Sequence, residues 1–320
     1  MVKLDSYLMR DKQQLTIAIP KSQNLRLRDT FFFIGSCFST EISSRLSERL
    51  IPSESNPFGV VFNPLTILNQ LKYIFSEDEI NLGLIQHDDK WHALNLSNKF
   101  QSTNKEDLIN QISQIAHSIK DYLIKADHII ITLGTSFIWN HNKLNSSIGN
   151  CHRIPQSEFT KRSLSFVELC DCFRSIISIL SKHTNASLTF TVSPVRYLRD
   201  GILNNSVSKS LLRSSIQEIL EKNETVQYFP SYEIFTEELK DHRYYKADLA
   251  HPNDWSSEYI LLRWIETQSD NNFRQYFSES QIFLNLKNHR TDNFTEKQRT
   301  EWFEKIAKEE HRLINYYKQV

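Results

Sequence analysis

Two short stretches of this sequence carry side chains able to cooperate in acyl chemistry. In FFFIGSCFST (residues 31–40) an apolar, strand-like run ends on Gly35 and is followed at once by two nucleophile types, Ser36 and Cys37. The second stretch is KADLAHPND (246–254), where Asp248 precedes His251 by three residues. An Asp-x-x-His turn lets one loop supply a general base together with the carboxylate that orients its imidazole. A thiol at a helix N-terminus meets unpaired backbone N–H groups and the positive end of the helix dipole, which favour the thiolate below its free pKa of about 8.5. The same N–H groups suit an oxyanion. Each stretch alone also has a structural reading: Cys37 as a small buried hydrophobe, Ser36 as a helix cap, and the His-Pro step as a turn.

The elements that must position these groups follow from hydrophobic periodicity. FFFIG (31–35), HIIITLG (128–134), SLTFTVS (187–193) and VQYFP (226–230) are continuous apolar runs of strand length, as expected for a parallel sheet covered on both faces. Between them, 39–50, 107–124, 165–180 and 208–220 carry apolar residues at helical spacing, and 256–266 continues from the Asp-x-x-His stretch as another helix. Alternating strands and helices predict a three-layer α/β/α sandwich with a mainly parallel sheet, in which ligands bind beyond the carboxyl ends of the strands. Gly35 and Gly134 both stand just after predicted strands. The chain reads as one domain over 1–320, with insertions at about 80–105 and 140–159 and a terminal helix at about 295–318 capped by Thr295 and Gln298.

Composition narrows the function classes. Lys plus Arg and Asp plus Glu are 38 each, so no net charge draws the chain to nucleic acid or anionic lipid. No apolar run is long enough to span a bilayer. The stretch MVKLDSYLMRDKQQLTIAIP shows no export signal, and Cys37, Cys151, Cys170 and Cys172 lack disulfide-framework spacing, which together predict free thiols in the cytoplasm. No H-E-x-x-H, Walker or dinucleotide-binding pattern occurs, so neither metal nor cofactor is expected. Ser206-x-x-Lys209 matches the S-x-x-K nucleophile pattern without its S-D-N or K-T-G partners and reads as coincidence.

Taken in order, FIGSCF (33–38), NPFGVVFNP (56–64), ITLGTSFIW (131–139), TVSPVR (191–196) and YFPSYEI with YYKADLAHP (228–252) resemble the motifs of the GSCFA family, itself similar to the SGNH or GDSL hydrolases. The resemblance runs from about residue 15 to 290. It implies an SGNH-hydrolase-like, flavodoxin-like fold and an esterase or acyltransferase acting on a small-molecule or glycan acyl substrate. In that register Cys37 falls on the nucleophile and Ser36 on the residue before it, leaving Ser36 as the alternative nucleophile, while Asp248 and His251 match the closing Asp-x-x-His. The implied oxyanion donors are the N–H of Cys37 and Gly59. The asparagine of the third motif is missing, because its place in Gly134-Thr135-Ser136 is taken by Ser136; Thr135, Ser136 or Asn63 is then the replacement donor. Arg196 enters the same crevice, either as a binder of a substrate carboxylate or phosphate or as a structural partner. A catalytically degenerate glycan- or protein-binding module on the same fold is the alternative.

Overall fold

A computed structural model describes residues 15–75, 82–144 and 146–319. Most of the stretch read above for an export signal, and the first residues of the expected 80–105 insertion, lie outside the described residues.

The five central strands are β1 (Phe31–Gly35), β2 (Ser53–Ser55), β3 (His128–Leu133), β4 (Ser187–Val192) and β5 (Val226–Tyr228). All pair in parallel, in the order β5-β4-β3-β1-β2. Read from the other edge this is 2-1-3-4-5, the flavodoxin-like order, whose switch point lies between β1 and β3. Every residue of β1 is buried because both faces of the sheet are covered. Phe32 and Ile34 point into one apolar core with helices α2 (Pro64–Phe75), α3 (Lys105–Lys125), α4 (Phe166–His183) and α5 (Ile202–Leu220). Phe31 and Phe33 point into the other, with α1 (Cys37–Ser47), α6 (Asp254–Gln268) and α7 (Asn271–Lys287). The result is the three-layer sandwich expected from the alternation of elements.

Helix α8 (Glu296–Gln319) follows α7 and is opened by Thr295 and Gln298, each accepting from the other's backbone N–H. Its Leu313 is fully buried in the second core. Two small antiparallel sheets flank the main one. The first joins 84–87, 90–93 and 101–102; the second pairs 137–141 with 146–148 and 159–163. Leu94, Ile148, Ile154 and Phe159 pack between them. Trp91 and His92 belong to the first: Lys105 Nζ stands 5.1 Å from the Trp91 ring centroid, and buried His92 bonds through Nε2 to the His87 carbonyl at 3.2 Å. Among the described residues no helix is long and apolar enough to cross a membrane.

Candidate active site

The turn from β1 into α1 is held at every residue. Gly35 has φ +138°, and a Cβ there would lie 2.0 Å from the Thr132 carbonyl oxygen, so the position admits only glycine. The Ser36 N–H donates to that carbonyl at 3.0 Å. Asn56, itself left-handed at φ 44°, clamps the turn: its Oδ1 accepts from the Gly35 N–H at 2.8 Å and its Nδ2 donates to Thr40 Oγ1 at 2.9 Å. Ser36 is 1% exposed; its hydroxyl donates to Ser193 Oγ at 3.0 Å and caps α1 by accepting from the Phe38 N–H at 3.3 Å. Cys37, the first residue of α1, is half-buried and free. Of the two nucleophile types, therefore, the hydroxyl is committed to structure while the thiol meets a cleft.

The Asp248–His251 loop is organised locally. One Asp248 oxygen accepts the N–H groups of Ala250 and His251 at 2.9 and 3.0 Å; the other contacts His251 Nδ1 at 2.6 Å. These bonds hold the Asp248 carboxyl down to about 2, so it is ionised and accepts a hydrogen bond from the Nδ1–H. That assigns the proton to Nδ1 and leaves Nε2 as an acceptor. To close the turn, Leu249 takes φ 55°, uncommon for leucine. Arg196 ties the loop to the end of β4: its N–H donates to the Ala250 carbonyl at 2.9 Å, Nη1 to the Leu249 carbonyl at 3.2 Å, and its guanidinium lies 4.0 Å from the Tyr245 ring centroid. Its contacts are thus with the histidine loop.

Cys37 and His251 line one cleft, with Phe38, Glu41, Val195, Lys246, Pro252 and Ser257 around them. The cleft encloses about 50 Å³. The electrostatics of the thiol differ from the expectation of a depressed pKa. Burial pushes the Cys37 thiol up, and Glu41 adds to this; the N–H groups of Cys37 and Phe38 and the Lys209 ammonium pull the other way without prevailing. A helix N-terminus favours the thiolate only to the extent that the sulfur stays solvated, and here desolvation is larger. Cys37 therefore rests as a thiol and needs a base.

The expected oxyanion donors are distributed unevenly. The Gly59 N–H donates to the Asn56 carbonyl at 2.7 Å within a turn at φ +89°. The Thr135 N–H goes to the Phe62 carbonyl at 2.9 Å and the Ser136 N–H to Ser208 Oγ at 2.7 Å. Both hydroxyls also bond to Ser208 Oγ, at 3.0 and 3.1 Å. Asn63 caps α2, its Oδ1 accepting from the Thr66 N–H at 2.9 Å. The three motifs still interlock at the strand ends: the Val61 N–H donates to the Gly35 carbonyl, and Gly134 and Thr135 both donate to the Phe62 carbonyl. Of the expected backbone N–H donors, the Cys37 N–H is the one held by no carbonyl or side-chain oxygen among the described residues.

Two side chains that matter here escaped the sequence reading. Asn56 lies within a motif quoted for its glycine, and nothing local signals that its amide reaches back to residue 35. Lys209, read as half of a chance pattern, is 2% exposed and donates to the Ser193 carbonyl at 2.8 Å, whereas Ser206 is exposed.

A model of the GSCFA family matches residues 30–264. Among solved structures, the chain is similar to a Clostridium thermocellum family 3 carbohydrate esterase at 12% identity and a TM-score of 0.32, covering 75% of this chain and 94% of that one. No curated protein matches.

Proposed function

Because the chain belongs to the GSCFA family, we propose that it is an SGNH-like esterase or acyltransferase that works through Cys37, His251 and Asp248. The observation that carries this reading is the shared cleft: the half-buried thiol and an imidazole backed by a carboxylate line the same small space. His251 Nε2 takes the thiol proton as Cys37 Sγ attacks the acyl carbonyl, and the Cys37 N–H faces the developing oxyanion. Collapse breaks the bond to the leaving oxygen or sulfur, which receives the proton from His251. The acyl group is then a thioester on Cys37. Water or an acceptor hydroxyl, deprotonated by His251, attacks it and releases the acid or a new ester, restoring the thiol. Asp248 keeps the Nδ1–H of His251 in place throughout.

A cleft of about 50 Å³ has room for a few waters or a short acyl group, so the acceptor or leaving group sits outside it. Short-chain esters of carbohydrates, the class implied by the family resemblance, are the first substrates to assay. The result expected is release of acetate from an acetylated sugar panel by the native protein and none above background by Cys37→Ala. Equal release by both proteins would remove the reading.

The binding-module reading keeps one specific support, the engagement of the Gly59, Thr135 and Ser136 N–H groups elsewhere. It predicts saturable binding of the same sugars by the native protein and by Cys37→Ala alike, without turnover.

A further inference from the structure

The buried cations of this protein are not treated alike. Arg49 and Arg263, 1% and 4% exposed, each meet a carboxylate: Arg49 reaches Glu258 at 2.6 Å and Arg263 reaches Glu238 at 3.1 Å. Lys209 is as deeply buried and has no carboxylate against it among the described residues. Its neighbours are the Ser193 carbonyl at 2.8 Å and the Tyr232 ring, with the centroid 5.8 Å from Nζ. Sealing an ammonium from water without a negative partner is unfavourable, unless the group gives up its proton or a negative charge arrives.

That charge can arise at Cys37. The two groups are near enough to act on each other: Lys209 favours the Cys37 thiolate, and the thiolate favours the Lys209 ammonium. They also share a hydrogen-bonded scaffold, since the Ser193 oxygens accept from Lys209 Nζ and from Ser36 Oγ, and Ser36 caps the helix that begins with Cys37.

We propose that Lys209 is a positioning residue for the nucleophile: its ammonium, tied through Ser193 to the Gly35–Cys37 turn, is the buried counter-charge that stabilises the negative charge Cys37 acquires on losing its proton. This rests on Cys37 being the reactive thiol of the proposed function, and it assigns to Lys209 the task that a helix N-terminus alone does not accomplish. At rest, burial brings the Lys209 ammonium down to about 7 while the thiol stays protonated. Below that pH the lysine is charged and assists ionisation of Cys37; above it the assistance disappears. The other titratable groups that face the thiol are Glu41 on its own helix, which opposes ionisation, and His251 and Lys246 from the loop across the cleft.

The test is the pH dependence of iodoacetamide alkylation at Cys37, read by peptide mapping. It is made in a His251→Ala background so that the imidazole contributes nothing, while Glu41 and Lys246 stay constant. With Lys209 present, the rate should rise with pH, flatten near neutrality as the lysine loses its proton, and rise again. In His251→Ala/Lys209→Met the rise should be single and, at pH 6, about tenfold lower, with the two profiles converging at alkaline pH. A single rise with Lys209 present overturns the proposal even if the Met variant does not fold. Superimposable profiles in the two folded proteins overturn it as well. Because alkylation needs no acyl substrate, a negative result here is distinct from failure of the esterase assay.

Discussion

Gly35, Ser36 and Cys37 close a strand buried at every residue, whereas Asp248 and His251 stand on a loop with side chains 50% and 43% exposed. The first region is positioned by residues from far along the chain: Thr132 across the sheet, Asn56 from the second motif, Ser193 at the end of β4. The second is built from bonds spanning two to five residues, plus the three attachments of Arg196. Placement of the nucleophile is consequently a property of the whole fold, and orientation of the base is a property of a short segment. Substitutions in the first region should cost folding together with chemistry; those in the second should cost chemistry alone.

The largest expected effect comes from Gly35→Ala. A Cβ placed 2.0 Å from a backbone oxygen between two central strands forces the sheet apart, and a loss of about 4 kcal/mol or more is expected. Chemical denaturation checks it, and a Gly35→Ala protein of native stability would break the contrast. His251→Ala should lower ester turnover about a hundred- to ten-thousandfold with the melting temperature little changed, since the side chain is 43% exposed. A parallel fall in melting temperature would show that the loop is structural. Arg196→Ala should reduce kcat about tenfold with little change in KM, because the residue holds the loop that carries the base. A change confined to KM would instead make Arg196 a substrate contact. Replacement by lysine should not restore the rate, as the stacking on Tyr245 needs the planar guanidinium.

The smallest effect concerns pH. The Asp248 carboxyl lies at about 2 in the folded protein against an ordinary 3.8. A depressed carboxylate contributes stability above its unfolded pKa and loses it as pH falls through the folded value. The difference in melting temperature between the native protein and Asp248→Asn should therefore be constant above pH 3.8 and vanish towards pH 2. It should be slight throughout, because the group is exposed to solvent. A gap that persists below pH 2 would mean the variant disturbs packing.

The layers of the fold were readable because β1, β3 and β4 are buried on both faces and so spell nearly continuous apolar runs, while β5 was found from Val226 and the aromatic residues that follow it. Strand β2 was not, since Ser-Glu-Ser at the sheet edge carries no apolar signal. Helix α2 hid behind Pro64, a residue that reads as a break but sits at the first helical position after the Asn63 cap. The first turns of α5 hid because Ile202, Leu203 and Val207 face solvent and blur the periodicity.

At the site, the Asp-x-x-His spacing together with the order of the motifs pointed to Asp248 and His251, whose mutual bonds are local. The state of Cys37 was not legible: helix position argued for a low pKa, and only the surrounding burial reverses it. Lys209 could not be recognised for the same reason. An isolated lysine in a helix looks solvent-facing until the strand ends that cover it are placed.

The central claim is that Cys37 becomes acylated with His251 as its base. The most direct measurement is mass spectrometry of the protein quenched in acid during turnover of p-nitrophenyl acetate, followed by peptide mapping. The account predicts an acetyl thioester on the peptide containing Cys37 in the native protein, sharply reduced in His251→Ala. Acetylation at Ser36 instead, or a Cys37 adduct that forms equally fast without His251, would contradict it.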